Sequence, residues 1–413
     1  EIYTSRLSSA ASDVYKRQVS LYLLNCPQYV IAYFGALKTG AKVTPISPVY
    51  TSKEVRHQLT DSQAKTVVCE DMLYENVERS GVELDNVILS SIGDYLPKLK
   101  KMFGKAALSK AYQGHSVPSA DEIKQAGLHT FKDLLKQYAP NAPDVSINPK
   151  EDLAALPYTG GTTGLPKAAM LTHYNMVSLR QQIISFWPFM EEGNETVIAF
   201  LPFFHIYGQV VLMLAGLTQG ATIVLFTTPD LDEILEAIER YRASAFYGVP
   251  TLYEYLKEHE KTDRVNWKRM KAIVCGADTL HDSTIQGWKR RTGTQILEGY
   301  GMTENFVYSH LSLPGKTRVG YVGNAYSDVE VRISEDGEVQ IKGPGNMMGY
   351  YKAPEHTAES FTEDGYLRTG DTGELDELGR LKITGRLKAL FKTSKGKYIA
   401  PAPIENRIMN HPD

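Results

Sequence analysis

"YTGGTTGLPKAAM", residues 158–170, sets three glycines and three threonines ahead of a single lysine. A loop of this composition offers backbone N–H groups and hydroxyls to phosphate. The common phosphate loop, G-x-x-x-x-G-K-[ST], requires a second glycine just before the lysine and a hydroxyl just after it. Counted from Gly160, Leu165 stands where that glycine belongs, and Lys167 is followed by Ala168. Pro166 also biases Leu165 away from helical geometry, so no helix starts at the lysine. The flanks "DLAALPYT" and "KAAMLTH" read as short apolar strands. Strand, loop, strand is the predicted arrangement, with an anion held by the loop's own donors.

Outward from this loop the chain alternates between strand and helix patterns. Residues 19–39 read as a helical segment and "AKVTPIS" (41–47) as a strand. "TSKEVRHQLTDSQ" (51–63) reads as a helix opened by Thr51 or Ser52 with Glu54 in its first turn, and "AKTVVC" (64–69) as the next strand. The alternation resumes with "ATIVLF", "LDEILEAIERY", "SAFYGVP", "KAIVCGAD", a helix and "TQILEGYG". Repeated units of this length predict an α/β fold with a largely parallel sheet. Residues 317–385 carry short alternating runs such as "GEVQIKG" and "GRLKITG", which predict a small β subdomain. Residues 1–18 are polar without periodicity and read as a non-native leader.

The bulk properties exclude several classes. The chain has 413 residues, 42% of them hydrophobic, with 45 basic against 48 acidic side chains and a net charge of −3. That length supports two or three domains, and the balance gives no electrostatic case for nucleic acid. Cys26, Cys69 and Cys275 are scattered, with neither metal spacing nor a disulfide framework, which fits a reducing, cytoplasmic compartment. The apolar stretches 19–37 and 200–226 are interrupted by Asn, Gln, Pro, His or Gly and read as core rather than membrane spans. "KLKKMFGK" (98–105) is read first as a solvated basic face and second as a peripheral membrane contact.

Four further stretches carry chemistry: "FFHIYG" (203–208), "EGYGMTE" (298–304), "YLRTGDTG" (366–373) and "GRLKALFKTSKGKY" (385–398). Each alone has a structural explanation, as a core histidine, a capped turn, a glycine turn or a cationic strand pair. Together they match the needs of a nucleoside triphosphate. The 159–167 loop supplies donors for phosphates, and Glu304 a carboxylate for Mg²⁺, which takes few protein ligands. Tyr300 offers a flat face for adenine, Asp371 an acceptor for the ribose diol, and Arg386 a guanidinium for ribose or phosphate oxygens.

These five motifs, in this order from about residue 19 to the C-terminus, resemble the adenylate-forming superfamily of acyl-CoA synthetases, luciferases and peptide-synthetase adenylation domains. The resemblance implies a two-step ligase. A carboxylate attacks the α-phosphate of MgATP to give an acyl-adenylate and pyrophosphate, and coenzyme A then displaces AMP. It assigns Thr159, Gly160, Gly161, Thr162, Thr163, Gly164 and Lys167 to the β- and γ-phosphates. Thr303 and Glu304 go to the α-phosphate and Mg²⁺, Gly276, Ala277, Asp278 and Tyr300 to the adenine wall, and Asp371 to the ribose. His205 falls near the substrate carboxylate and Arg386 at the edge of a C-terminal lid. Lys388 falls on the lid's hinge, and Ser394, Lys395 and Gly396 on a coenzyme A tunnel. The implied domains are an adenylation domain over 19–385, containing the β subdomain, and the start of the lid over 386–413.

The motifs look most like those of fatty-acid–CoA ligases, with the acyl pocket expected among Met213, Val249 and Pro250. Gln209 stands where some long-chain relatives carry a tryptophan gate, leaving medium and long chains both open. An aryl-acid CoA ligase or an amino-acid adenylation domain is the alternative, and an inactive nucleotide-binding protein the rival of another class. The family's late lid lysine has no match before Asp413, so the resemblance implies weak adenylation by this chain. Oligomeric state is not legible.

Overall fold

The computed structural model describes residues 18–96, 112–160 and 166–387, with the backbone of two short strands beyond them. Residues 1–17 of the expected leader, "KLKKMFGK", Gly161 to Gly164, Lys388, Ser394, Lys395 and Gly396 lie outside the described residues, whereas Gln18, placed in that leader, opens a buried strand. The chain divides into two compact units, one of residues 1–173 with 202–205 and one of 174–201 with 206–413.

The first unit contains β1 (Gln18–Tyr22), β2 (Lys42–Pro45), β3 (Thr66–Glu70), β4 (Asn86–Ser90), β5 (His129–Thr130), β6 (Leu153–Ala155), β7 (Tyr158–Thr159), β8 (Lys167–Ala168) and β9 (Leu171–Thr172). Seven of these form one sheet in the order β5-β4-β3-β1-β2-β6-β9, parallel except for the last pair. Helix Ser52–Ser62 packs Val55 and Leu59 onto Tyr22, Ile46 and Val67. Its entry is a capping box in which Glu54 accepts the Thr51 N–H at 2.7 Å, as the sequence predicts.

One expectation is corrected here. "QVSLY", the start of the expected 19–39 helix, is the central strand β1, every residue buried; the helix begins only at Pro27 and ends at Lys38. A strand with neighbours on both edges and cover on both faces shows no alternation, so a short apolar run does not reveal its period.

The second unit contains β10 (Thr196–Ala199), β11 (Thr222–Leu225), β12 (Ala245–Gly248), β13 (Ala272–Cys275), β14 (Leu297–Tyr300), β15 (His310–Leu311), β16 (Gly323–Ala325), β17 (Glu330–Ile333), β18 (Glu338–Lys342), β19 (Leu367–Leu375) and β20 (Arg380–Arg386). They form a single sheet, β11-β10-β12-β13-β14-β15-β16-β20-β19-β18-β17, parallel as far as β14 and antiparallel beyond it. The β-rich stretch therefore extends the parallel sheet instead of forming one of its own. It keeps a small separate core of Val339, Ile341 and Leu381. Trp267 and Trp288, with ring centroids 4.6 Å apart, help pack the helical side of the parallel half.

No helix among the described residues is long and apolar enough to cross a membrane. The three cysteines are free and buried.

Candidate nucleotide site

The glycine-threonine loop has the predicted strand–loop–strand form. β7 and β8 pair antiparallel, Tyr158 with Ala168 and Thr159 with Lys167. Its base is pinned to helix Ser52–Ser62 at two points. Tyr158 donates its hydroxyl to Asp61 at 2.7 Å, and His57 Nε2 lies 3.3 Å from the Pro166 carbonyl. Neither anchor has a sequence signal, because each joins the loop to a helix about a hundred residues away. Gly160 is exposed, its φ is not left-handed, and an added Cβ there would meet nothing within 4 Å. Its own backbone therefore does not demand glycine.

His205 also belongs to the first unit, in the segment Pro202–His205. Asn25 accepts the Phe203 N–H at 2.8 Å and Tyr29 donates to the Phe203 carbonyl at 2.9 Å, which fixes that segment. The His205 side chain reaches the surface, and desolvation by surrounding protein lowers its pKa, leaving a neutral imidazole near pH 7. Beyond the short helical segment Ile206–Gly208, Gln209–Leu214 form a buried π-helical turn containing Met213.

The second unit carries the remaining described candidates, and most of them touch one another. Strands β12, β13 and β14 are parallel, and sites in open α/β sheets lie beyond the carboxyl ends of such strands. Gly248 is followed there by Val249 and Pro250, and Cys275 by Gly276, Ala277 and Asp278. Ala277 is exposed with φ +75°, a conformation costly for a residue with a Cβ. Asp278 accepts the Thr279 N–H at 2.7 Å.

Tyr300 ends β14 and donates its hydroxyl to Asp371 Oδ2 at 2.7 Å. Arg386 Nη1 lies 2.8 Å from Asp371 Oδ1, the two residues being cross-strand partners on β19 and β20. Both carboxylate oxygens of Asp371 are thus engaged. The Asp371 side chain is almost fully buried while that of Arg386 is 71% exposed. Burial raises the Asp371 pKa above the usual carboxylate range, opposed by Arg386 and by the Tyr300 hydrogen bond. A ligand hydroxyl bonding to Asp371 must share these oxygens or displace the exposed guanidinium. The sequence reading assigned Asp371 and Arg386 to one ligand without foreseeing their ion pair, and gave Tyr300 only a stacking role.

Thr303 and Glu304 form a helical turn with Asn305, whose Oδ1 accepts the Met302 N–H at 2.8 Å. Glu304 Oε1 accepts the Tyr350 hydroxyl at 2.7 Å, and among the described residues no hydrogen bond occupies Oε2. No group of three or more His, Cys, Asp or Glu gathers among the described residues. The described residues therefore offer no cage of protein ligands. One carboxylate oxygen beside a phosphate-bearing ligand is the donor set Mg²⁺ favours, and Glu304 fits it.

Glu298, which opens the same motif, was missed by the sequence reading. Burial, reinforced by Asp282, raises its pKa to about 8. A carboxyl with a raised folded pKa binds its proton more tightly when folded, so stability falls as pH rises from the ordinary glutamate range to about 8. Glu298→Gln is expected to flatten that fall, read as melting temperature across pH 5–9.

The parallel sheet thus turns antiparallel just past Tyr300, whose hydroxyl bonds the buried Asp371, in a chain that also carries a pinned glycine-threonine loop. The chain belongs to the AMP-binding enzyme family, whose model matches residues 10–351. It is 32% identical over 409 residues to a long-chain-fatty-acid–CoA ligase of Bacillus subtilis, covering 95% of this chain and 72% of that protein. It is also 30% identical to 4-coumarate–CoA ligase 4 of Arabidopsis thaliana, covering 95% of this chain and 68% of that one. Among solved structures, ATP-bound MatB from Rhodopseudomonas palustris superposes with a TM-score of 0.81 at 25% identity, over 100% of this chain and 77% of that chain.

Proposed function

We propose that this chain activates a medium- or long-chain fatty acid with ATP and Mg²⁺ and passes the acyl group to coenzyme A, releasing AMP and pyrophosphate. The observation that carries the reading is the Tyr300–Asp371–Arg386 network beside the Glu304 turn in one sheet. It presents a buried acceptor for a ribose diol, a cation ligand for phosphates, and a guanidinium on an exposed arm. The sequence similarity to fatty-acid–CoA ligases supports the acyl class.

In this reading Asp371 orients the ribose, and Gly276, Ala277 and Asp278 form the adenine wall with Tyr300. Thr159, Gly160, Gly161, Thr162, Thr163, Gly164 and Lys167 bind the departing pyrophosphate, and Thr303 the α-phosphate. Bound Mg²⁺ supplies charge neutralisation on the phosphate oxygens, held by Glu304. A neutral His205 faces the fatty carboxylate without adding a positive charge that would blunt its nucleophilicity. Positioning and charge stabilisation suffice for adenylyl transfer, since the acid itself is the nucleophile. Residues 19–385 act as the adenylation domain. Arg386 and Lys388 lead into the lid, and Ser394, Lys395 and Gly396 approach coenzyme A. The compartment is the cytoplasm.

The test is binding of 5′-O-(N-acylsulfamoyl)adenosines, which imitate the acyl-adenylate without requiring turnover. Affinity is expected to rise about fourfold per methylene from hexanoyl until the pocket is filled. A benzoyl or aminoacyl analogue binding more tightly than every fatty-acyl one would replace the substrate class. No binding of any of them would overturn the adenylation reading.

A further inference from the structure

We infer that Tyr350 is a positioning residue for the divalent cation, acting through Glu304; this rests on the reading of Glu304 as the cation's ligand. Tyr350 falls outside every motif used above. Its hydroxyl donates to Glu304 Oε1 at 2.7 Å, and the Met347 N–H donates to the Glu304 carbonyl at 2.8 Å. The segment 343–350 therefore grips Glu304 by side chain and main chain together.

That segment is itself braced. Asn175 Nδ2 donates to the carbonyls of Pro344 at 2.7 Å and Asn346 at 3.0 Å. Asn346 Nδ2 donates to Ile341 at 2.8 Å. Gly345 lies against the Glu304 turn so closely that an added Cβ would sit 2.7 Å from the Asn305 carbonyl oxygen. The Tyr350 N–H is held by Thr357 Oγ1 at 2.8 Å, and that hydroxyl donates to Ala353 at 2.9 Å. A glutamate has three side-chain torsions to fix before it can bind a cation well. A donor on Oε1 fixes the carboxylate and leaves Oε2 for the ion, as partners behind metal ligands commonly do.

The chemistry of the donor matters as much as its place. A tyrosine phenol is a neutral hydroxyl donor, and here it gives its hydrogen bond to Glu304 Oε1. A lysine or arginine there would cancel the charge that the cation needs. A phenol orients the carboxylate and leaves its charge intact.

The test is Mn²⁺ binding to the complex of the chain with α,β-methylene-ATP, read from the free-Mn²⁺ electron paramagnetic resonance signal. Tyr350→Phe is expected to weaken Mn²⁺ about tenfold. Its melting temperature and its affinity for the nucleotide in EDTA are expected to stay at wild-type values, which a merely structural hydroxyl would not predict. Glu304→Gln is run beside it. If Glu304→Gln weakens Mn²⁺ and Tyr350→Phe does not, the positioning role is overturned while Glu304 keeps its own. If neither variant changes Mn²⁺ affinity, Glu304 is not the ligand and the inference falls with that reading. A Tyr350→Phe protein that loses metal and metal-free nucleotide affinity equally also overturns it, since the hydroxyl would then serve the whole site.

Discussion

Replacing Gly301 with alanine is expected to lower the melting temperature by about 6–12 °C and to abolish nucleotide binding. An added Cβ at Gly301 would lie 1.9 Å from the Val307 carbonyl oxygen and 2.7 Å from its carbon. Both are backbone atoms, so no rotamer change relieves the clash. The chain folds back on itself here through Phe306 and Val307, both at left-handed φ, +55° and +92°. Met302 accepts N–H bonds from Asn305 at 3.3 Å and Val307 at 3.0 Å, so widening the turn breaks both. Phe306 and Val307 are also buried, so the loop cannot swing outward without exposing them. The cost is about 3 kcal/mol or more, the overpacking range with no soft neighbour to yield. Because Thr303 and Glu304 ride on this turn, the same shift misplaces the proposed phosphate and cation contacts. Gly160→Ala is the control for stability alone, since its added Cβ meets nothing within 4 Å. Calorimetric melting of both variants and nucleotide titration of Gly301→Ala against wild type decide it. A Gly301→Ala protein melting within about 2 °C of wild type would show that the turn yields where the packing says it cannot.

Much of this site is legible in sequence because local chemistry dictates it. Pro166 biases Leu165 away from helical geometry, and the paired β7 and β8 are the arrangement that results. Thr51 with Glu54 writes a helix start in four residues. The features without a local signal depend on partners distant in the chain. Tyr350 reaches Glu304 across 46 residues, and nothing in "GYYKAPE" marks which tyrosine does so. The Asp371–Arg386 pair depends on strand register past an irregularity between Thr372 and Gly373, which no pattern of residues announces. The junction of parallel and antiparallel strands at β14 and β15 is likewise a matter of pairing. Composition alone separates the β-rich stretch from the sheet it extends. The unit boundary at residue 173 falls at the first residue of helix His173–Phe186, with no linker to betray it.

Asp371→Asn is expected to weaken nucleotide binding about 100-fold while leaving the melting temperature at or above that of wild type. The binding loss follows from the proposed ribose contact. Two diol hydroxyls donating to a carboxylate form charge-assisted bonds, each worth about 1.5–3 kcal/mol, and an amide offers one neutral acceptor with unwanted donors. The stability argument runs the other way. Asp371 is 4% exposed, and burial raises its folded pKa above the unfolded carboxylate value. Stability it contributes is therefore fullest below the unfolded pKa and declines as pH rises through the folded one. At pH 7 the ionised form is an expense, offset in part by Arg386, whose side chain is 71% exposed and loses little when left to water. Asparagine keeps the shape and accepts the Tyr300 hydroxyl without that expense. A buried acid with a raised pKa beside a specific charge partner is the kind of group that binding sites hold. The decisive comparison uses 3′-deoxy-ATP. Wild type is expected to discriminate against it by about tenfold, and Asp371→Asn by less than about twofold, because the acceptor for the missing hydroxyl is gone. Equal discrimination by both proteins would remove the ribose from Asp371 and leave the Tyr300–Asp371–Arg386 network as a structural tie between β14, β19 and β20.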